Sequence, residues 1–171
     1  LYDRNNLSHI INKACKEVFV PITVGGGIRT IEDIKHALHA GASKVAINTQ
    51  AIKDPSFIIQ AGKIFGRQCI VGSIEAKRNQ GTWEAYIDNG REKTGIDAIE
   101  WAFKLQELGA GEIVITSVDR EGTKSGLDLE LIQKLSNLKI PLVVSGGIGN
   151  LSHIKETCAK VQFEGLAVGS V

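Results

Sequence analysis

The feature that most constrains this chain is a repeat. "PITVGGGIRT" at residues 21–30 returns as "PLVVSGGIGN" at 141–150. Pro21, Val24, Gly26, Gly27 and Ile28 recur as Pro141, Val144, Gly146, Gly147 and Ile148, an offset of 120 residues. In each copy an apolar, β-branched run passes straight into glycines. With these two copies, six such runs recur along the chain: "FVPITV", "KVAIN", "CIVGSIE", "EIVITSV", "IPLVVSGG" and "GLAVGSV". Each is apolar on both alternations, the pattern of strands covered on both faces.

Helical patterns separate these runs. "TIEDIKHALHAG" places Ile31, Ile34, Ala37 and Leu38 on one face and ends on Gly41, a C-terminal stop. "GIDAIEWAFKLQELGAG" repeats the scheme with Ile96, Ile99, Trp101 and Leu105, and "LDLELIQKLSNLK" does so again. Strands alternating with helices predict βα units on a parallel sheet. At roughly 30 residues per unit, the repeat offset holds about four units. A fold whose half is four such units is a (βα)8 barrel. With the "GGG" strand third and the "SGG" strand seventh, the expectation is a single α/β domain over residues 1–171. It is an incomplete (βα)8 barrel of about six parallel strands, lacking the first two. One connection is too long for a plain βα loop. "GTWEAYID", "NG" and "REKTG" predict a β-hairpin insertion near 82–95, with Asn89-Gly90 as a two-residue turn.

The net charge of +1 gives no footing for a nucleic-acid or membrane surface. Cys15, Cys69 and Cys158 share no metal spacing. They read as buried free thiols, which fits a reducing compartment and a cytoplasmic protein. His9, His36, His39 and His153 read as exposed helix residues rather than ligands, and neither a metal nor a cofactor is expected. No signal peptide or spanning apolar run is visible, and the chain opens without an initiator Met.

Strand-end glycines free backbone N–H groups to face an anion and let it come close. In (βα)8 barrels the seventh and eighth strand loops are a frequent phosphate site, and here "SGG" and "VGS" fall there together. The repeat puts "VGGG" and "INT" in the equivalent place across the barrel. Two facing phosphate sites suit a substrate with a phosphate at each end. The alternative is that the glycines only relieve crowding where helix meets strand.

"VGGGIRTIED", "AGASKVAINT", "REKTGIDAIEWA", "LGAGEIVITSVDREGTKSGLDLELI" and "SGGIGNLSHI" resemble the cyclase subunit of imidazole glycerol phosphate synthase, over nearly the whole chain. The resemblance implies a (βα)8 barrel of histidine biosynthesis. It implies ammonia from a glutaminase partner and a bis-phosphorylated formimino ribotide as substrate. The products would be imidazole glycerol phosphate and aminoimidazole carboxamide ribotide. It also implies that Gly27, Asn48 and Thr49 bind one phosphate, while Thr116, Gly122, Gly146, Gly147, Gly169 and Ser170 line the other side. The family's acid–base pair is an Asp on the first strand and another on the fifth, in a stretch like "AIDAKR". This chain reads "SIEAKR", so Glu75 stands where that second Asp is expected, its carboxylate one methylene further out. Asp119 either holds substrate or fixes its turn. Lys44 and Glu112 begin strands at the amino-terminal face, where the family gates ammonia, or they form an ordinary ion pair. Two other readings remain: a paralogue for amidation of a surface sugar, and a non-catalytic phosphate-binding piece of a barrel. The 171-residue chain is also expected to self-associate through its open strand edges.

Overall fold

The computed structural model describes residues 4–169. The chain opens on a helix, α1 (Arg4–Glu17), and then alternates between sheet and helix. The parallel strands are β1 (Thr23–Gly25), β2 (Lys44–Ile47), β3 (Ile70–Asn79), β6 (Glu112–Ser117), β7 (Leu142–Ser145) and β8 (Gly165–Ala167). The sheet runs in the order β1-β2-β3-β6-β7-β8, and every neighbouring pair along it is parallel. The result is an open half-barrel, the incomplete (βα)8 architecture that the repeat predicts.

The connecting helices are α2 (Ile31–His39), α3 (Thr49–Lys53), α4 (Ser56–Phe65), α5 (Ala98–Leu108), α6 (Leu129–Lys134) and α7 (Leu151–Lys160). They cover one face of the sheet, and the register shows which one. Val45 pairs with Ile70, Gly72 with Ile113, Ile74 with Ile115 and Ile115 with Val144. Those isoleucines and valines are at most 1% exposed. They pack against Ile34, Ile58, Ala102, Leu105 and Leu131 of the helices. The opposite alternation faces the concave side. It carries Ser73, Val114 and Val143 in one row and Glu75, Thr116 and Ser145 in the next, all half-buried.

The helix ends follow local chemistry. Thr30 caps α2 in a reciprocal capping box with Asp33, and Asp97 caps α5 through the Ile99 and Glu100 N–H groups. Gly109 closes α5 in the left-handed conformation.

The insertion is a hairpin, β4 (Thr82–Ile87) and β5 (Glu92–Asp97), built onto an extended β3. The β4–β5 turn falls at Asn89-Gly90, where the sequence places it, but it is not the two-residue turn of the insertion. The two-residue turn is Gln80-Gly81, between the paired Asn79 and Thr82, with both φ angles positive at 47° and 91°. Asn89-Gly90 instead lies inside the four-residue loop between Ile87 and Glu92. Ile96, expected on the helix, belongs to β5, because the strand runs on to Asp97 before α5 starts. The thiols also differ from expectation: all three are free, but Cys15 and Cys69 are half-buried and Cys158 is exposed. His153 is half-buried, whereas His9, His36 and His39 are exposed as expected.

Candidate functional site

The site forms where β2 stops and β4 takes its place. One edge of β3 pairs with β2 up to Gly72 and with β4 from Glu75 onward. On its other edge, Glu75 pairs with Thr116 of β6. Glu75 therefore stands at a junction, on the concave side, with the hairpin folding back over the carboxyl ends of β1 and β2.

Asn48 shows what that junction does. It is the first residue after β2 and the N-cap of α3, yet its side chain makes no cap hydrogen bond. An Asn at an N-cap ordinarily accepts from the helix N–H groups. Here its Nδ2 donates to Glu75 Oε2 at 3.0 Å and to the Tyr86 carbonyl at 3.1 Å. The Gly90 N–H donates to the same Glu75 oxygen at 2.9 Å. Burial raises the Glu75 pKa above its ordinary value. The Gly90 N–H opposes that shift, the nearby Asp88 charge adds to it, and the Asn48 amide opposes it. A carboxyl whose pKa is raised, held in mid-β3 by two donors beside a cavity, is suited to proton transfer.

In front of Glu75 lies a cavity of about 660 Å³, bordered by Gly26, Gly27, Asn48, Thr49, Asp88 and Asn89. Gly26 and Gly27 have φ of 89° and 75°, and a Cβ on either would meet no atom within 4 Å. Crowding does not explain these two glycines, because the space beside them is open. Arg29 and Lys53 supply positive charge to the same cavity.

The second copy of the repeat is built differently. A Cβ on Gly146 would come within 2.6 Å of the Ser117 carbonyl oxygen, and one on Gly147 within 2.3 Å of the Gly126 carbonyl oxygen. The Gly126 N–H donates to the Gly147 carbonyl at 2.8 Å. These glycines make room for the β6–α6 loop, as the crowding alternative holds. Gly122, Gly146, Gly147 and Gly169 do converge, but on a cleft of about 20 Å³ with Glu121 beside it. That is room for roughly one water, so a phosphate there needs the β6–α6 loop to move. Ser170 lies outside the described residues.

Thr116 sits between Glu75 and Ser145 in the concave row. Asp119 accepts the Arg78 backbone N–H at 2.6 Å, which ties the β6–α6 loop to the end of β3. At the opposite end of the sheet, Lys44 Nζ and Glu112 Oε2 form an ion pair at 2.5 Å, across β3. Among the described residues, no group of three or more His, Cys, Asp or Glu is placed to hold a metal ion.

Three contributors escaped the sequence reading: the Gly90 N–H, the Asp88 charge and the Tyr86 carbonyl. All belong to the hairpin, whose place over the strands depends on the register of β4 against β3. A second group is the Arg78 guanidinium, which stacks 4.4 Å from the Trp83 ring centroid, while Trp83 Nε1 donates to Asp128 at 2.9 Å. This group anchors the hairpin base to α6.

Comparison with known proteins agrees with this geometry. The sequence profile of the family described as "Histidine biosynthesis protein" matches residues 2–171. "Imidazole glycerol phosphate synthase subunit HisF" of Legionella pneumophila is 53% identical over 155 residues, covering 90% of this chain and 73% of that subunit. A half-barrel with a carboxylate where its central strand leaves β2 for β4, and an identity of this extent, lead to one conclusion: the chain belongs to the histidine biosynthesis protein family.

Proposed function

We propose that the chain provides the cyclase activity of imidazole glycerol phosphate synthase. It converts a bis-phosphorylated formimino ribotide and ammonia to imidazole glycerol phosphate and aminoimidazole carboxamide ribotide. The observation that carries this reading is Glu75, a carboxyl of raised pKa at the mouth of the 660 Å³ cavity. Glu75 is the acid–base catalyst. Gly27, Asn48 and Thr49 receive one phosphate beside Arg29 and Lys53. Thr116, Gly122, Gly146, Gly147, Gly169 and Ser170 receive the other once the β6–α6 loop opens, and Asp119 holds that loop. Lys44 and Glu112 lie on the ammonia route from a glutaminase partner. The strongly exposed Phe19 and Val20 (96% and 64%), just ahead of β1, offer that partner an apolar rim at the same end. A cytoplasmic setting fits the reaction and the free thiols.

Anion binding is the first test. Titration with inorganic phosphate is expected to move the amide resonances of Gly26, Gly27 and Asn48 first, and those of Gly146 and Gly147 at higher concentration. If these amides stay still while others move, the phosphate assignment is wrong. Steady-state turnover of the ribotide with an ammonium salt, in a protein carrying the full barrel, tests the reaction itself.

As the 171-residue chain alone, the protein is expected to self-associate. Among the described residues, β1 and β8 each pair on one side only. The concave face presents Val114 and Val143 half-buried. Burying each apolar side chain is worth about 1.5–3 kcal/mol, and an open edge offers the hydrogen bonds to do it. Light scattering at micromolar concentration is expected to show a dimer or larger. A stable monomer would contradict this expectation.

A further inference from the structure

The loop between Ile87 and Glu92 is conformationally costly. Asp88, Asn89 and Gly90 are all left-handed, with φ of 51°, 56° and 72°. The left-handed region disfavours residues with a Cβ, Asp and Asn less than most. Asp88 and Asn89 are exposed, so packing of their side chains does not offset the strain. The conformation closes the hairpin, with the Arg91 N–H donating to the Ile87 carbonyl at 3.1 Å, and in doing so aims the Gly90 N–H. Gly90 points its N–H at Glu75, and a Cβ added at Gly90 would come within 3.3 Å of Val118, just past the end of β6.

The length of the side chain matters here. The family resemblance implies an Asp at this position, and Glu reaches one methylene further out. In this chain that reach brings Oε2 between the Asn48 amide and the Gly90 N–H. Asn48 is in turn fixed by the carbonyl of Tyr86, one residue before the end of β4. Both donors to Glu75 therefore depend on where the hairpin lies. Strain held at such a place is a recurring sign of function.

We propose that the Asp88–Asn89–Gly90 turn is a positioning element for the acid–base carboxylate, with the Gly90 N–H seating Glu75 and Asp88 as the charge set beside it. The proposal rests on the reading of Glu75 as catalyst, but the seating itself does not. The charged and titratable groups around Glu75 are few. Tyr86 pairs with it from β4, Asp88 and Glu92 come from the hairpin, Arg29 from the loop after β1 and Lys53 from α3. Thr116 and Ser145, its neighbours in the concave row, are uncharged. Asp88 is the charge that acts on Glu75, and it acts opposite in sign to the Gly90 N–H.

That opposition gives a test that a merely structural loop would not pass. The Glu75 carboxyl carbon, labelled with ¹³C, is titrated by NMR in the wild-type protein, Asp88→Asn and Gly90→Ala. Asp88→Asn removes a like charge with little change of shape, so the midpoint should fall. Gly90→Ala displaces the N–H, so the midpoint should rise. Midpoints equal to wild type in both variants, or moving in the same direction, would overturn the proposal. If Gly90→Ala does not fold, Asp88→Asn decides alone: a lower midpoint supports the proposal and an unchanged one overturns it. In turnover, Gly90→Ala should lower kcat by about 10–10²-fold with little change in KM, as misplacement near 1 Å does. The acid limb of the kcat profile should shift in the same directions as the NMR midpoints. Should Glu75→Gln retain wild-type turnover, the catalytic reading fails while the titration still reports on the seating.

Discussion

Glu75→Gln is expected to lower ammonia-dependent turnover by about 10²–10⁴-fold, the usual contribution of a general acid–base group, while raising thermal stability at neutral pH. The two effects share one cause. Burial raises the Glu75 pKa, so between the unfolded and folded values the native state holds more protons than the unfolded state. Stability then falls as pH rises through that window, and above it the charged carboxylate opposes folding. Gln removes the charge but keeps an oxygen that can accept from Asn48 and Gly90. Its stabilising effect should shrink as pH falls below the ordinary carboxylate range, where Glu75 is itself neutral. Thermal melts at pH 7 and pH 3.5, beside rates, check the pair. A Gln variant that is both slower and less stable at pH 7 would place Glu75 in a structural role. Glu75→Asp, which keeps the carboxylate, should retain or improve turnover.

The second large effect separates the two copies of the glycine repeat. Gly147→Ala is expected to cost about 2–5 kcal/mol, from left-handed strain together with overpacking. Its φ is 98°, and the new Cβ would fall 2.3 Å from the Gly126 carbonyl oxygen. Backbone cannot swing aside as a side chain can, so the β6–α6 loop must shift. Gly27→Ala has the same backbone strain and no steric conflict, so its cost should be about 1–2 kcal/mol. Its methyl, however, enters the 660 Å³ cavity and should weaken phosphate binding. Denaturant melts and phosphate titrations of the two variants check this. Equal stability losses would contradict the asymmetry.

That asymmetry also shows how far the sequence could be read. The six parallel strands were legible as apolar, β-branched runs, although the structure fully covers only the helix-facing alternation: Val45, Ile70, Ile113 and Val144 are at most 1% exposed, while Val114 and Val143 on the concave face are half-buried. The repeat correctly matched β1 with β7. It could not show that one glycine pair opens on a cavity while the other receives a loop, because that depends on where Gly126 lies. Asn89-Gly90 carries the strongest short-range hairpin signal and does join β4 to β5, though in a four-residue loop, while the two-residue turn at Gln80-Gly81 joins β3 to β4. Glu75 was legible as a carboxylate on this strand, but not as one in its middle, because β3 runs on to Asn79 to carry the hairpin. The hydrogen bonds from Asn48 and Gly90 span 27 and 15 residues, and no local pattern records them. Trp83 and Asp128, 45 residues apart, meet for the same reason.

The most direct test of the central claim follows nitrogen through the reaction. The protein with its full barrel is given the bis-phosphorylated formimino ribotide and ¹⁵N-ammonium, without a glutaminase. The account predicts that label appears in imidazole glycerol phosphate, with an equal amount of unlabelled aminoimidazole carboxamide ribotide, and that Glu75→Gln forms neither at a comparable rate. A folded protein that binds the ribotide yet leaves it unchanged, or that consumes it without taking up label, would contradict the account.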